Sequence, residues 1–165
     1  MLSAIVRWLK LGESIVATIA YAIVAGLLMA DVIGRELFAT SFLGAQQIAV
    51  YGAIIAGFLG LTLATSDNAH LRPEFMDFVF ARHEALVSRF GDFVSAVFFF
   101  AGAWIAITFV GISMESGDRA PVLYFFVWPL QLVIPYAFAS SGLKHLIFAL
   151  EPGLKSSSDR EQIAR

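Results

Sequence analysis

Apolar residues in this chain run in long blocks separated by short charged clusters. Four windows hold no Asp, Glu, Lys or Arg: residues 14–30, 37–66, 93–114 and 120–143. A bilayer core about 30 Å thick takes about 20 residues of helix, so each window predicts one transmembrane helix. Thr40, Ser41 and Gly44 read as a turn at the head of the second window. The expected spans are about 12–34, 45–66, 93–114 and 124–147. Between the second and third spans the pattern changes. In residues 74–92, Glu74, Asp77, Arg82, Glu84, Ser88, Arg89 and Asp92 share one arc of a helical wheel. Phe75, Met76, Val79, Phe80, Leu86, Val87 and Phe90 share the other. This predicts an amphipathic helix that lies in the membrane interface or runs on as a foot of the third span. The tail, 151–165, is polar and reads as disordered.

Composition agrees with a membrane chain. Of 165 residues, 59% are hydrophobic and 15% charged, where a soluble domain carries about a quarter charged. The mean hydropathy is +0.79. The net charge of −2 leaves no basic footprint for nucleic acid. No cysteine is present, which excludes disulfides and thiolate metal sites. The fold class expected is therefore all-α integral membrane: one four-helix domain over residues 1–150 with an interfacial helix. Arg7 and Lys10 ahead of an apolar run also open signal peptides. Asp31 and Arg35 close that run in place of a small-residue cleavage site, which favours a retained helix.

With four spans, both termini and the middle loop share a side, and that side carries nine of the eleven Lys and Arg residues. The positive-inside rule makes it cytoplasmic. Small residues recur at four-residue spacing. The first helix has Thr18, Ala22, Gly26, Ala30 and Gly34. The second has Ala45, Ala49, Ala53 and Gly57, and beside them Gly52, Ala56, Gly60 and Ala64. Such stripes let backbones approach closely in lipid, so the second helix should have neighbours on two sides. The third helix is bulky instead, with Phe98, Phe99, Phe100 and Trp104, and Trp104 reads as a packed residue. Pro129 and Pro135 should bend the fourth.

Chemistry is sparse. The windows hold no ionisable group, whereas solute and ion pathways usually keep such groups in the membrane. This argues against a stand-alone transporter or channel. No nucleotide, hydrolase or zincin motif is present, so no enzyme, cofactor or metal site is expected. Of His70, His83 and His145, only His145 falls within the end of a span. A haem- or quinone-binding anchor of a respiratory enzyme is the second reading, and it normally needs paired histidines inside helices. His83, on the apolar face of its segment, reads as a packed hydrogen-bonding residue. Asp31 and Arg35 are four apart at the outer edge and can pair across one helical turn. Gln46 and Gln47 open the second helix on the same side and can bond across helices.

The residues also follow a recognisable order. Asp31-Val-Ile-Gly-Arg35-Glu-Leu-Phe ends the first helix and Gly44-Ala45-Gln46-Gln47 begins the second. Gly57-Phe-Leu-Gly60 leads to a loop with Thr65, Asp67 and His70. A polar stretch from Ser113 through Pro121 precedes aromatic and proline residues at the fourth helix. Over roughly residues 10–150 the chain resembles the DctQ-like small membrane subunit of tripartite ATP-independent periplasmic (TRAP) transporters. That family often carries acids where this chain has Gln46 and Gln47, so hydrogen bonding rather than charge would serve a contact there. The resemblance implies three partners: a large membrane subunit holding the solute and sodium sites, a periplasmic substrate-binding protein, and membrane lipids. It implies a scaffolding role in sodium-coupled uptake of an organic acid or similar solute. The candidate subunit-contact residues are Asp31, Arg35, Gln46, Gln47, Gly57, Gly60, Phe80, His83 and Leu86.

Overall fold

The computed structural model describes residues 2–40, 42–66 and 84–151. Among these residues five helices follow in order: α1 (Leu2–Phe38), α2 (Ala45–Ser66), α3 (Glu84–Ser116), α4 (Trp128–Gln131) and α5 (Val133–Leu150). Four lengths are long and apolar enough to cross a membrane, the last formed by α4 and α5 together. The fourth is the least apolar and the most enclosed, with half of its central window buried.

The helices form an open row. α1 packs on α2, α2 on α5 and α5 on α3. The outer helices, α1 and α3, meet at no more than isolated points among the described residues. The inward positions advance in alternating steps of four and three. On α1 they are Glu13, Ala17, Ala20, Val24, Leu27, Asp31 and Gly34. On α3 they are Asp92, Ala96, Phe99, Ala103, Ala106, Val110 and Ser113. This is the seam spacing that keeps two helices in register, and its small residues suit close approach in lipid.

Glycines mark the tightest crossings. A Cβ on Gly52 would lie 2.6 Å from Val24 Cγ2, so α1 and α2 touch there. Between α3 and α5 the fit is reciprocal. Phe138 of α5 covers Gly102, with a Cβ there only 2.9 Å from its ring. Phe100 of α3 covers Gly142, at 3.2 Å.

Several expectations change. The first-helix stripe Thr18, Ala22, Gly26 and Ala30 faces outward, and only Gly34 of that set faces in. The four-residue stripe drifts around α1, while the four-three seam stays on the side of α2. Trp104 is not packed: it is 74% exposed on the outer face of α3, while Phe99 turns inward onto Phe138 and His145. The prolines flank a one-residue interruption of the fourth span. Pro129 lies in the first turn of α4 and Pro135 in the first turn of α5, where backbone N–H groups have no intrahelical acceptor. The helical ladder is interrupted between them at Leu132, whose own backbone stays right-handed helical (φ −59°, ψ −20°), because Pro135 has no N–H to give.

Of the amphipathic segment 74–92, Glu84 to Asp92 is the start of α3, continuous with the span. Phe80 and His83 lie outside the described residues, as does the Leu86 side chain. Asp92 does not join the wet arc; it is buried against α5, which supplies a partner.

Candidate functional site: a loop-side cleft and a buried polar seam

One end of the row is built around the last turns of α1. Asp31 lies on the inward seam and is only 3% exposed. Its carboxylate accepts from Arg35 Nη2 at 3.0 Å and from the Phe42 backbone N–H at 3.1 Å. α1 ends because Ala39 turns left-handed (φ 49°) and the Thr40 N–H reaches back to the Gly34 carbonyl at 3.1 Å. That turn places Phe42 and Leu43 over the head of α2. Gly44 has φ 89°, and a Cβ on it would lie 2.7 Å from the Leu123 side chain. The loop after α3 thus closes down on the α1–α2 turn, with Phe125 edge-on to Tyr51 at 5.7 Å. The Arg119 guanidinium stands over the Phe126 ring at 4.7 Å.

These elements leave a cleft of about 410 Å³ lined by Asp31, Gly44, Gln46, Gln47, Val50 and Val122 among others. Four of the sequence candidates therefore converge: Asp31, Gln46 and Gln47 line the cleft, and Arg35 holds the carboxylate. Gly57 and Gly60 sit apart from it. A Cβ on either would meet nothing within 4 Å, so their small size serves no contact among the described residues.

The opposite end holds groups that the charge-free windows passed over. Glu13 and Lys144 form an ion pair at 2.5 Å, with the residues 2% and 0% exposed. Ser140 Oγ donates to Glu13 Oε1 at 2.5 Å and Tyr136 Oη to the same oxygen at 3.3 Å. Lys144 Nζ also donates to the Thr62 carbonyl at 2.9 Å. That carbonyl lies near the C-terminal, negative end of the α2 dipole, where a cation is favoured. One turn on, Thr65 Oγ1 lies 3.4 Å from Ser141 Oγ. On the other side of α5, His145 Nδ1 is 3.2 Å from Asp92 Oδ1, and its ring stacks on Phe99 with centroids 5.4 Å apart. Among the described residues there is no group of three candidate metal ligands.

Glu13, Asp92 and Lys144 each stand immediately beside a charge-free window, and a search that ends at the first charge discards them. The signal that finds them is phase: Glu13 is one step of the Ala17–Ala20–Val24 seam, and Asp92 one step of the Ala96–Phe99–Ala103 seam.

The arrangement joins helices to one another and leaves outward faces for other molecules. A family model described as tripartite ATP-independent periplasmic transporters, DctQ component, matches residues 24–152. The chain belongs to the DctQ family. It is the small-subunit component of a TRAP transporter and a multi-pass inner-membrane protein. Membership implies association with a large membrane subunit and a substrate-binding protein. The DctQ match lends no support to the haem- or quinone-anchor reading, and His145 faces a carboxylate and an aromatic ring. Comparison with curated proteins and with solved structures returns no match.

Proposed function

We propose that this chain braces the large membrane subunit of a TRAP transporter during sodium-coupled uptake of an organic acid or similar solute. It carries no solute itself. The observation that supports this reading is the open row. α1 turns Ile15, Ile19, Ile23 and Met29 outward, and α3 turns out Phe98, Trp104 and Ile105. A four-helix chain made for itself would close these faces on one another, as bundles do. Its buried charges are tied to one another and to helix carbonyls rather than arrayed along a path.

In this reading the loop-side cleft takes a hydrogen-bonding segment of the large subunit through Asp31, Gln46 and Gln47, with Arg35 holding the acid in place. Gly57 and Gly60 accept a partner helix at close range. Phe80, His83 and Leu86 belong to an amphipathic stretch that rests on the partner or on lipid headgroups. Both termini are cytoplasmic, so the seam at Glu13 lies near the inner face and the cleft near the periplasmic one. The domain is residues 1–150 and the remaining tail is a polar extension.

Purification from native membrane in mild detergent tests the reading. The tagged chain should bring down a much larger multi-span protein. Gln46→Trp, which fills the cleft mouth, should lower that yield while the chain itself still elutes as a folded species. Recovery of the unsubstituted chain alone, or an unchanged partner yield with Gln46→Trp, would remove the proposal.

A further inference from the structure

The two adjacent basic residues of α5 face different neighbours. Lys144 meets Glu13 of α1, and His145 meets Asp92 of α3. All four side chains are buried. Lys144 and His145 sit in the fourth span, the least apolar of the four, which also carries Ser140 and Ser141. Lysine is among the costliest residues to place in a bilayer. A helix with this composition is poorly held by lipid alone, and its polar groups are matched by partners that arrive earlier in the chain.

We propose that Glu13 and Asp92 are paired latches that retain α5 in the membrane, one from each flank. The fourth span becomes a stable part of the fold only once the first and third spans present their acids. Glu13 receives Lys144 with Ser140 and Tyr136 completing its shell, so α5 is fixed in rotation and depth against α1. Asp92 receives His145, which fixes α5 against α3. The Glu13–Lys144 latch joins two hairpins, α1–α2 and α3–α5, while the Asp92–His145 latch closes the second hairpin on itself. In soluble proteins the removal of one member of a buried ion pair is far more harmful than removal of both, and the same asymmetry marks a latch here. This inference concerns the chain's own assembly and holds whether or not the bracing role is correct.

The test uses the full chain in native membranes. The chain has no cysteine, so Ala137→Cys, at a fully buried position of α5, makes a reporter of helix docking. Labelling by a membrane-permeant maleimide should be slow in this parent. Adding Glu13→Gln should speed it about a hundred-fold, the factor that loss of one partner of a buried pair implies. Adding Lys144→Met to Glu13→Gln should restore protection. Asp92→Asn should open the site likewise, and His145→Leu should restore that variant, whereas Lys144→Met should not. If a single variant is degraded before labelling, recovery of its level by the matched second change carries the same information. Unchanged labelling in Glu13→Gln, or a double variant no better than the single, would overturn the latches. Rescue of Asp92→Asn by Lys144→Met would overturn the pairing.

Discussion

Leucine at Gly52 and leucine at Gly60 should have opposite consequences, although the two glycines stand on one helix, eight residues apart. At Gly52 even a Cβ would come within 2.6 Å of Val24 Cγ2, where ordinary contact begins near 3.4 Å. Val24 is β-branched and has one favoured rotamer in a helix, so it cannot swing clear. α1 and α2 must part by most of an ångström, and overpacking of this kind costs about 1–3 kcal/mol even before the rest of the leucine is placed. At Gly60 nothing lies within 4 Å of the Cβ position. There the isolated chain should be unaffected or gain up to about 1 kcal/mol of helix propensity. Any loss must come from a partner. Thermal unfolding of the purified chain in mild detergent, followed by size exclusion of the complex with the large subunit, separates the cases. Gly52→Leu should lower the midpoint of the chain alone. Gly60→Leu, and Gly57→Leu with it, should leave that midpoint in place and weaken the complex. A chain that unfolds with Gly60→Leu but tolerates Gly52→Leu would refute the packing described.

Two further outcomes follow from the same geometry. Gly102→Leu should separate α3 from α5, because Phe138 already stands 2.9 Å from the Cβ position. A loss of about 1–3 kcal/mol is expected, read as a lower unfolding midpoint, while Gly111→Leu, with open space around it, should not share it. Gly44→Ala should loosen the turn between α1 and α2 through both its positive φ and the Leu123 contact, costing about 1 kcal/mol or more. Limited proteolysis of the α1–α2 and α3–α4 loops should then quicken without loss of the helical signal.

The spans were legible because lipid imposes a blunt rule: about 20 consecutive apolar residues or no crossing. The resemblance carried by Asp31, Arg35, Gln46 and Gln47 pointed to the family, and the structure brings those four together. Less legible was which small residues pack. Spacing by four places Thr18, Ala22, Gly26 and Ala30 in a line, yet α1 turns its Glu13–Ala17–Ala20–Val24 face to α2. The choice depends on where the neighbour stands, which periodicity alone does not contain. The buried ion pairs escaped for a different reason. A charge at a helix end reads as solvated until the opposing helix is known, and Lys144 meets an acid 131 residues away. Pro135 misled in the same local manner: its effect depends on whether it falls in the first turn of a helix or within it.

Transport by the chain alone tests the central claim most directly. Purified and reconstituted into liposomes under an inward sodium gradient, it should show no uptake of the solute its binding protein delivers. Adding the large subunit and the loaded binding protein should switch uptake on, and omitting the small subunit should abolish it. Sodium-driven uptake by the isolated chain, or full uptake by the large subunit and binding protein without it, would contradict the account.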